Sequence, residues 1–306
     1  MRVCKNGSKS GLNRSGGFDY FNVAILFFIT LVVVYPLWNV LMISFNHPVD
    51  TLQGGIYFFF RKFTLSNYEY FFKNKGFVNS LMVSVGRTVL GAASSVLVTT
   101  MFAYGMSKKY LIGRKLWSAF MIIPLYISGG LIPQFLIVKS IGFYHNFFVY
   151  IILTLFSTYN CIILMTFFKG IPVEIEESVR MDGGNDIVIF FKIIFPISMP
   201  VIATIALFNA VYQWNSWFDT VLYGGRQLMT LQAKLVEIIR DADAARKLET
   251  EGSNLAASLM NRLGFRPTVE SVKSTAMVIS AVPIMMVYPF LQKYFVKGIM
   301  IGSIKG

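Results

Sequence analysis

Six runs of the chain, approximately 18–45, 77–106, 115–139, 146–168, 190–217 and 273–297, are each long and apolar enough to cross a lipid bilayer. A bilayer core of ~30 Å takes roughly 20 apolar residues in a helix. At 55% hydrophobic and 14% charged residues over 306 positions, the chain is too apolar for an ordinary soluble domain. The expected fold is therefore all-α, an integral membrane protein with six transmembrane helices. The first run, "FDYFNVAILFFITLVVVYPLWNVLMISF", exceeds the core of a signal peptide and has no small-residue cleavage site, so it reads as an uncleaved anchor.

Orientation follows from Lys and Arg in the short flanks. The tail before the first span carries Arg2, Lys5, Lys9 and Arg14, and the loop "MSKKYLIGRK" carries Lys108, Lys109, Arg114 and Lys115. The end of the chain adds Lys293, Lys297 and Lys305. With six spans all three regions lie on one side, the cytoplasmic side of a cell membrane. Arg61, Lys62, Lys73 and Lys75 weaken this bias without reversing it. The expected organisation is a cytoplasmic tail 1–17, a membrane domain 18–297 with external loops 46–76 and 218–272, and a cytoplasmic tail 298–306. These flanks explain most of the net charge of +13, so no nucleic-acid partner is implied. Cys4 and Cys161 stand alone, with no His or Cys cluster beside them, and suggest neither a disulfide nor a metal site.

Ion-coupled carriers usually hold an ionisable group near the membrane midplane. No acidic residue falls at the centre of a span, which argues against an ion-coupled secondary transporter of a small polar solute and leaves it as the alternative. Arg87 is the one cation well inside a span. It has three readings: snorkelling outward, pairing across helices, or lining a pathway. The chain has no phosphate-binding G-x-x-x-x-G-K-[ST] and no catalytic constellation. It is expected not to be an enzyme, and energy for uphill transport must come from a partner.

The segment at 169–190 departs from the apolar pattern. Glu174, Glu176, Glu177 and Asp182 crowd a stretch that continues into Gly183-Gly184. Pro172 suits the first turn of a helix, and the glutamates that follow favour the positive end of its dipole. Ile175 and Val179 share one apolar stripe. Gly183-Gly184 permits a sharp reversal, and Asn185 or Asp186 can cap a second helix running through "IVIFFKIIFP" into the fifth span. A solvated loop with good caps would explain these features taken singly.

The whole pattern, Glu177-Ser178-Val179, then Asp182-Gly183, then Ile194, Pro196 and Pro200, resembles the EAA loop of ABC importer permeases. "NSLMVSVGRTVLG", "SGGLIPQFLIVKSIGF", "QWNSWFD" and "VYPFLQKYFVKGIMIGSIKG" are similar to the oligosaccharide, maltose-permease-like branch of that family. The resemblance implies a type I (MetI-like) architecture. It implies that Glu176, Glu177, Ser178, Asp182, Gly183, Gly184 and Pro196 belong to a coupling segment that docks on a cytoplasmic ATPase. It further implies a second homologous permease in a heterodimer, two ABC ATPase subunits and an extracytoplasmic solute-binding protein. ATP and Mg would be bound on the ATPase, and no cofactor on this chain.

Sugars need hydrogen-bonding groups beside flat apolar faces. Asn160, Asn209, Gln213, Trp214 and Asn215 are the candidates for the substrate path. Interhelical hydrogen bonding is the competing reading for the amides, and an interfacial aromatic belt for the tryptophans. Leu228, Leu231, Leu235, Ile238 and Ile239 predict an amphipathic helix within 218–272. That helix would meet a solute-binding protein or rest on the membrane as a lid.

Overall fold

The computed structural model describes residues 17–51, 53–250 and 268–303. The cations at 2–14, Cys4, residues 251–267 and Lys305 lie outside them.

Three helices among the described residues are long and apolar enough to cross a membrane on their own. These are α1 (Gly17–Ser44), α4 (Lys75–Ser107) and α14 (Val269–Ser303). α1 is exposed from Phe18 to Trp38, a surface that only lipid or other apolar helices could cover. α4 is the central rod. Asn74 caps it, its side chain accepting from Gly76 N at 2.9 Å, and no proline interrupts its 33 residues.

The other runs are helical but broken, so the six expected transmembrane helices appear as three to five candidate spans among the described residues. The third consists of α5 (Arg114–Tyr126) and α6 (Leu131–Ser140), which meet at 117°. The bend lies at Ser128-Gly129-Gly130, where Gly130 has φ +83°. The fourth is split into α7 (Val149–Ile152) and α8 (Thr158–Lys169), each too short to span alone. Ser157 starts α8 again, its hydroxyl accepting from Asn160 N at 3.3 Å.

The fifth run begins as α10 (Asp186–Ile189), passes through a π-helical turn at Phe190–Ile194 and α11 (Phe195–Ile197), and turns by 83° at Ser198 into α12 (Met199–Asn215). Pro196 and Pro200 bracket the corner, and each lacks the N–H that a continuous helix would use. Counting each bent pair as one crossing gives five candidate spans.

Two apolar clusters lie at opposite ends of α4. One joins Tyr104, Leu164, Phe168, Ile189, Phe190 and Ile194 beside α9 (Val173–Met181). The other joins Phe71 of α3 (Ser66–Lys73), Phe77, Trp214, Val272 and Ala276 with Leu231 and Ile238 of α13 (Leu231–Thr250). α13 is the helix expected within 218–272, and its apolar stripe packs on α4 and α14. At the same end, the loop after α1 is tied down by Asn46. Its amide donates to Asp50 and accepts the backbone N–H groups of Arg61 and Lys62 at 3.0 Å.

Candidate functional site

α9 stands at one end of the molecule with no buried residue. Pro172 occupies its N-cap, Glu174 and Glu176 fill its first turn and Arg180 its last, an order that suits the helix dipole at both ends. Ile175 and Val179 face inward, Val179 against the Phe168–Phe190 cluster. Glu174, Glu177, Ser178 and Met181, at helical spacing, form the outer face together with Asp182. Glu174, Glu177 and Asp182 make no ion pair with another described residue. The outer face is thus a free acidic surface with a bare methionine, Met181 being 87% exposed.

The two glycines have different reasons to be there. Gly183 has φ +85°, a conformation that a side chain resists. Gly184 has ordinary φ, but a Cβ there would lie 2.6 Å from Val179 Cγ1 and 2.9 Å from its carbonyl oxygen. Asn185 then caps α10, its side chain accepting from Val188 N at 2.9 Å. Pro196 is exposed in α11, two residues before the corner.

Two side-chain ties hold α9 to the connection between α4 and α5. Lys108 pairs with Glu176, and its ammonium lies 3.9 Å from the centroid of the Tyr104 ring. Arg180 pairs with Asp186 and donates to the Tyr110 hydroxyl at 3.0 Å. The Asp186 carboxylate, and after it the Tyr110 hydroxyl, push the Arg180 pKa further above its ordinary value, so the guanidinium stays charged.

The candidate path residues separate into two groups. Asn160 and Asn209 border one open cleft of about 500 Å³, lined also by Thr154, Phe156, Ser157, Tyr159, Phe208 and Tyr212. Asn209 Oδ1 accepts from Ser95 at 3.3 Å, and its Nδ2 donates to the Ile205 carbonyl at 3.0 Å. The Asn160 amide has no hydrogen-bond partner among the described residues and is not sealed from the cleft. Aromatic rings, two amides and four hydroxyls, with no charged group, make a surface that suits a polyhydroxylated ring.

Gln213, Trp214 and Asn215 do not border this cleft, so Asn209 and Gln213, four residues apart on one helix, do not line it together. Gln213 Oε1 accepts from Arg87 Nε at 2.8 Å, and its Nε2 donates to the Tyr150 carbonyl at 3.1 Å and to Thr154 Oγ1 at 2.5 Å. Trp214 is buried in the α3–α13–α14 cluster and donates to the Ser280 carbonyl at 2.9 Å. Asn215 is exposed and donates to the Val211 carbonyl at 2.9 Å.

Arg87 takes the pairing role among its three readings. It is fully buried and meets both Asp219 oxygens, the Ser216 carbonyl at 3.3 Å and Thr220 Oγ1 at 3.3 Å, with the Tyr150 ring centroid 4.6 Å away. A bidentate guanidinium–carboxylate pair of this kind fixes geometry as well as charge. It joins α4 to α7 and to the segment after α12.

No family model matches the chain. Relatives do. The chain is 36% identical over 290 residues to the polygalacturonan/rhamnogalacturonan transport system permease protein YtcP of Bacillus subtilis, covering 94% of this chain and 98% of that protein. It is 35% identical over 292 residues to protein LplC of the same organism, covering 94% and 95%. A crystal structure of a bacterial ABC transporter that imports the acidic polysaccharide alginate aligns with a TM-score of 0.80 at 28% identity, over 91% of this chain and 96% of that one. The chain belongs to the permease subunits of ABC importers for sugars and oligosaccharides. That places its transport among ATP-driven importers and removes the ion-coupled alternative.

Sequence reasoning missed Phe156 and Phe208, although each stands four residues before a polar cleft residue, Asn160 and Tyr212. It also missed Lys108 and Tyr110 as partners of α9. Nothing local marks them, because they meet α9 from 68 and 70 positions away.

Proposed function

We propose that this subunit forms half of an oligosaccharide path, that the open cleft beside Asn160 and Asn209 is its substrate-facing wall, and that α9 docks on a cytoplasmic ABC ATPase. The observation that carries the reading is the acidic face of α9. A membrane protein presents a short helix with a bare methionine and three carboxylates in no ion pair among the described residues, tied in place by two ion pairs. A solvated loop has no need of those ties.

In this reading the chain crosses the membrane six times, several crossings being broken helices, with both termini in the cytoplasm. A second homologous permease completes the path. Two ATPase subunits bind ATP and Mg and hydrolyse the nucleotide, while this chain catalyses no reaction. A binding protein delivers cargo to the opposite face, and the structure of an alginate importer with a pentasaccharide-bound periplasmic protein has the same fold, with a TM-score of 0.56.

The cleft is tested in proteoliposomes holding the whole importer with ATP on the ATPase side. Asn160→Ala is expected to lower the apparent affinity for transported oligosaccharide by roughly fivefold, the worth of one hydrogen bond of about 1 kcal/mol. Tyr212→Ala, removing a stacking face, is expected to do at least as much. Asn215→Ala, off the cleft, should leave uptake unchanged. Wild-type uptake in both cleft variants would remove the cleft from the path.

A further inference from the structure

We propose that Lys108 is a positioning residue that clamps α9 to α4, and that α4 carries the movement of the docked ATPase to the substrate cleft. The proposal rests on the reading of α9 as the dock and adds the route by which the cleft responds.

Three routes lead from α9 into the membrane domain. Along the chain toward α12, movement must pass the Gly183-Gly184 turn, a π-helical turn and the 83° corner at Ser198. Toward α8 it must pass Gly170 and Pro172, between the end of one helix and the start of the next. Joints of this kind absorb displacement. α4 has none between Lys75 and Ser107, and Lys108 is its C-cap residue.

Lys108 is well placed to grip. In its pair with Glu176 the side chains are only 10% and 16% exposed, so water screens the pair less than an ordinary surface bridge. The Tyr104 ring beneath the ammonium adds a cation–π contact, and that ring is itself wedged between Phe168 of α8 and Phe190 of the π-helical turn. The second tie, Arg180–Tyr110, leads from α9 to the same connection.

The middle of the rod meets the cleft. Ser95 donates to Asn209, and the Thr99 hydroxyl accepts from Ser157 N at 3.5 Å. Ser95 lies 13 residues from Lys108, a span of about 20 Å in a helix. A push at Lys108 therefore arrives at two cleft residues without crossing a flexible joint. The ground for the proposal is spatial: one unbroken helix holds α9 through Lys108 and the cleft through Ser95 and Thr99.

The test uses the complete importer in proteoliposomes and reads cargo imported per ATP hydrolysed, together with ATPase retained on purification. Lys108→Gln is expected to keep the ATPase bound and hydrolysing while cargo per ATP falls roughly tenfold, and Glu176→Gln to lower cargo per ATP by a similar factor. The paired exchange Lys108→Glu with Glu176→Lys is expected to recover at least half of the loss. Wild-type cargo per ATP in both single variants overturns the proposal, as does an exchange that recovers nothing. Loss of the ATPase from Lys108→Gln also overturns it, because the pair would then build the dock instead of transmitting from it. Glu177→Lys on the outer face separates the underlying reading. If that variant keeps its ATPase, α9 is not the dock, whatever the clamp variants do.

Discussion

Arg87→Ala is expected to destabilise the folded subunit by about 3–5 kcal/mol, the usual cost of removing one partner from a buried ion pair. The guanidinium is fully buried and supplies bonds to Asp219, Gln213, Ser216 and Thr220. Without it the Asp219 carboxylate keeps, among the described residues, only Ser216 Oγ at 2.8 Å and Thr220 N at 2.9 Å. Gln213 Oε1 loses its one donor among the described residues, so a tie between α12 and α4 is lost. The measurement is the melting temperature and monodisperse yield of detergent-purified protein. Removing both charges together, as Arg87→Met with Asp219→Leu, should recover much of the loss, because no bare charge is left behind. An unchanged melting temperature in Arg87→Ala would mean that the pair contributes little.

Gly91→Ala attacks the same junction from the other side. A Cβ at Gly91 would lie 2.1 Å from Gln213 Nε2 and 2.8 Å from its Cδ. Gln213 cannot swing away without giving up bonds to Arg87, Tyr150 and Thr154. Overpacking of this kind costs about 1–3 kcal/mol, and here the lost hydrogen bonds add to it. Gly86→Ala is the control on the same helix, since its Cβ would meet only the Phe147 ring at 3.6 Å, an ordinary contact. A large fall in melting temperature for Gly91→Ala and a small change for Gly86→Ala is the expected pair of results. Equal effects would mean that the Gln213 contact does not set the approach of α12 to α4.

The apolar segments were legible because length and composition alone define a candidate span, and every one of the six is helical in the structure. Their breaks were only partly legible. Gly129-Gly130 marks the 117° bend with residues that permit it, and Pro196 and Pro200 bracket the 83° corner. The gap between α7 and α8 has no such mark in "LTLFS". There the Tyr150 carbonyl is taken by Gln213 Nε2 and by the Thr154 hydroxyl, and Thr154 N turns to Ile151 instead. A side chain 63 positions away helps to end that helix, and no local window contains it.

The same distinction divides the candidate sites. The proposed coupling segment lies within one continuous stretch, so its acids, glycines and caps could be read in order. The cleft is assembled from α8, the connection before it and α12, and only Asn160 and Asn209 of its five sequence candidates meet there. Gln213 shares a helix face with Asn209, being four residues on, yet Arg87 draws it into the packing between α4 and α12. Helical spacing shows which residues share a face and leaves open which neighbour that face meets.

The most direct measurement is co-purification of the subunit from membranes with its ATPase, comparing wild type with Glu177→Lys and Gly183→Asp. Glu177 lies on the exposed face of α9, so reversing its charge should remove the ATPase while the subunit keeps its melting temperature and membrane yield. Gly183→Asp, which forces a side chain onto a φ of +85°, should misplace α9 and lose the ATPase as well. Retention of the ATPase by both variants at wild-type level would contradict the account, because the acidic face of α9 would then not be the surface through which ATP drives this permease.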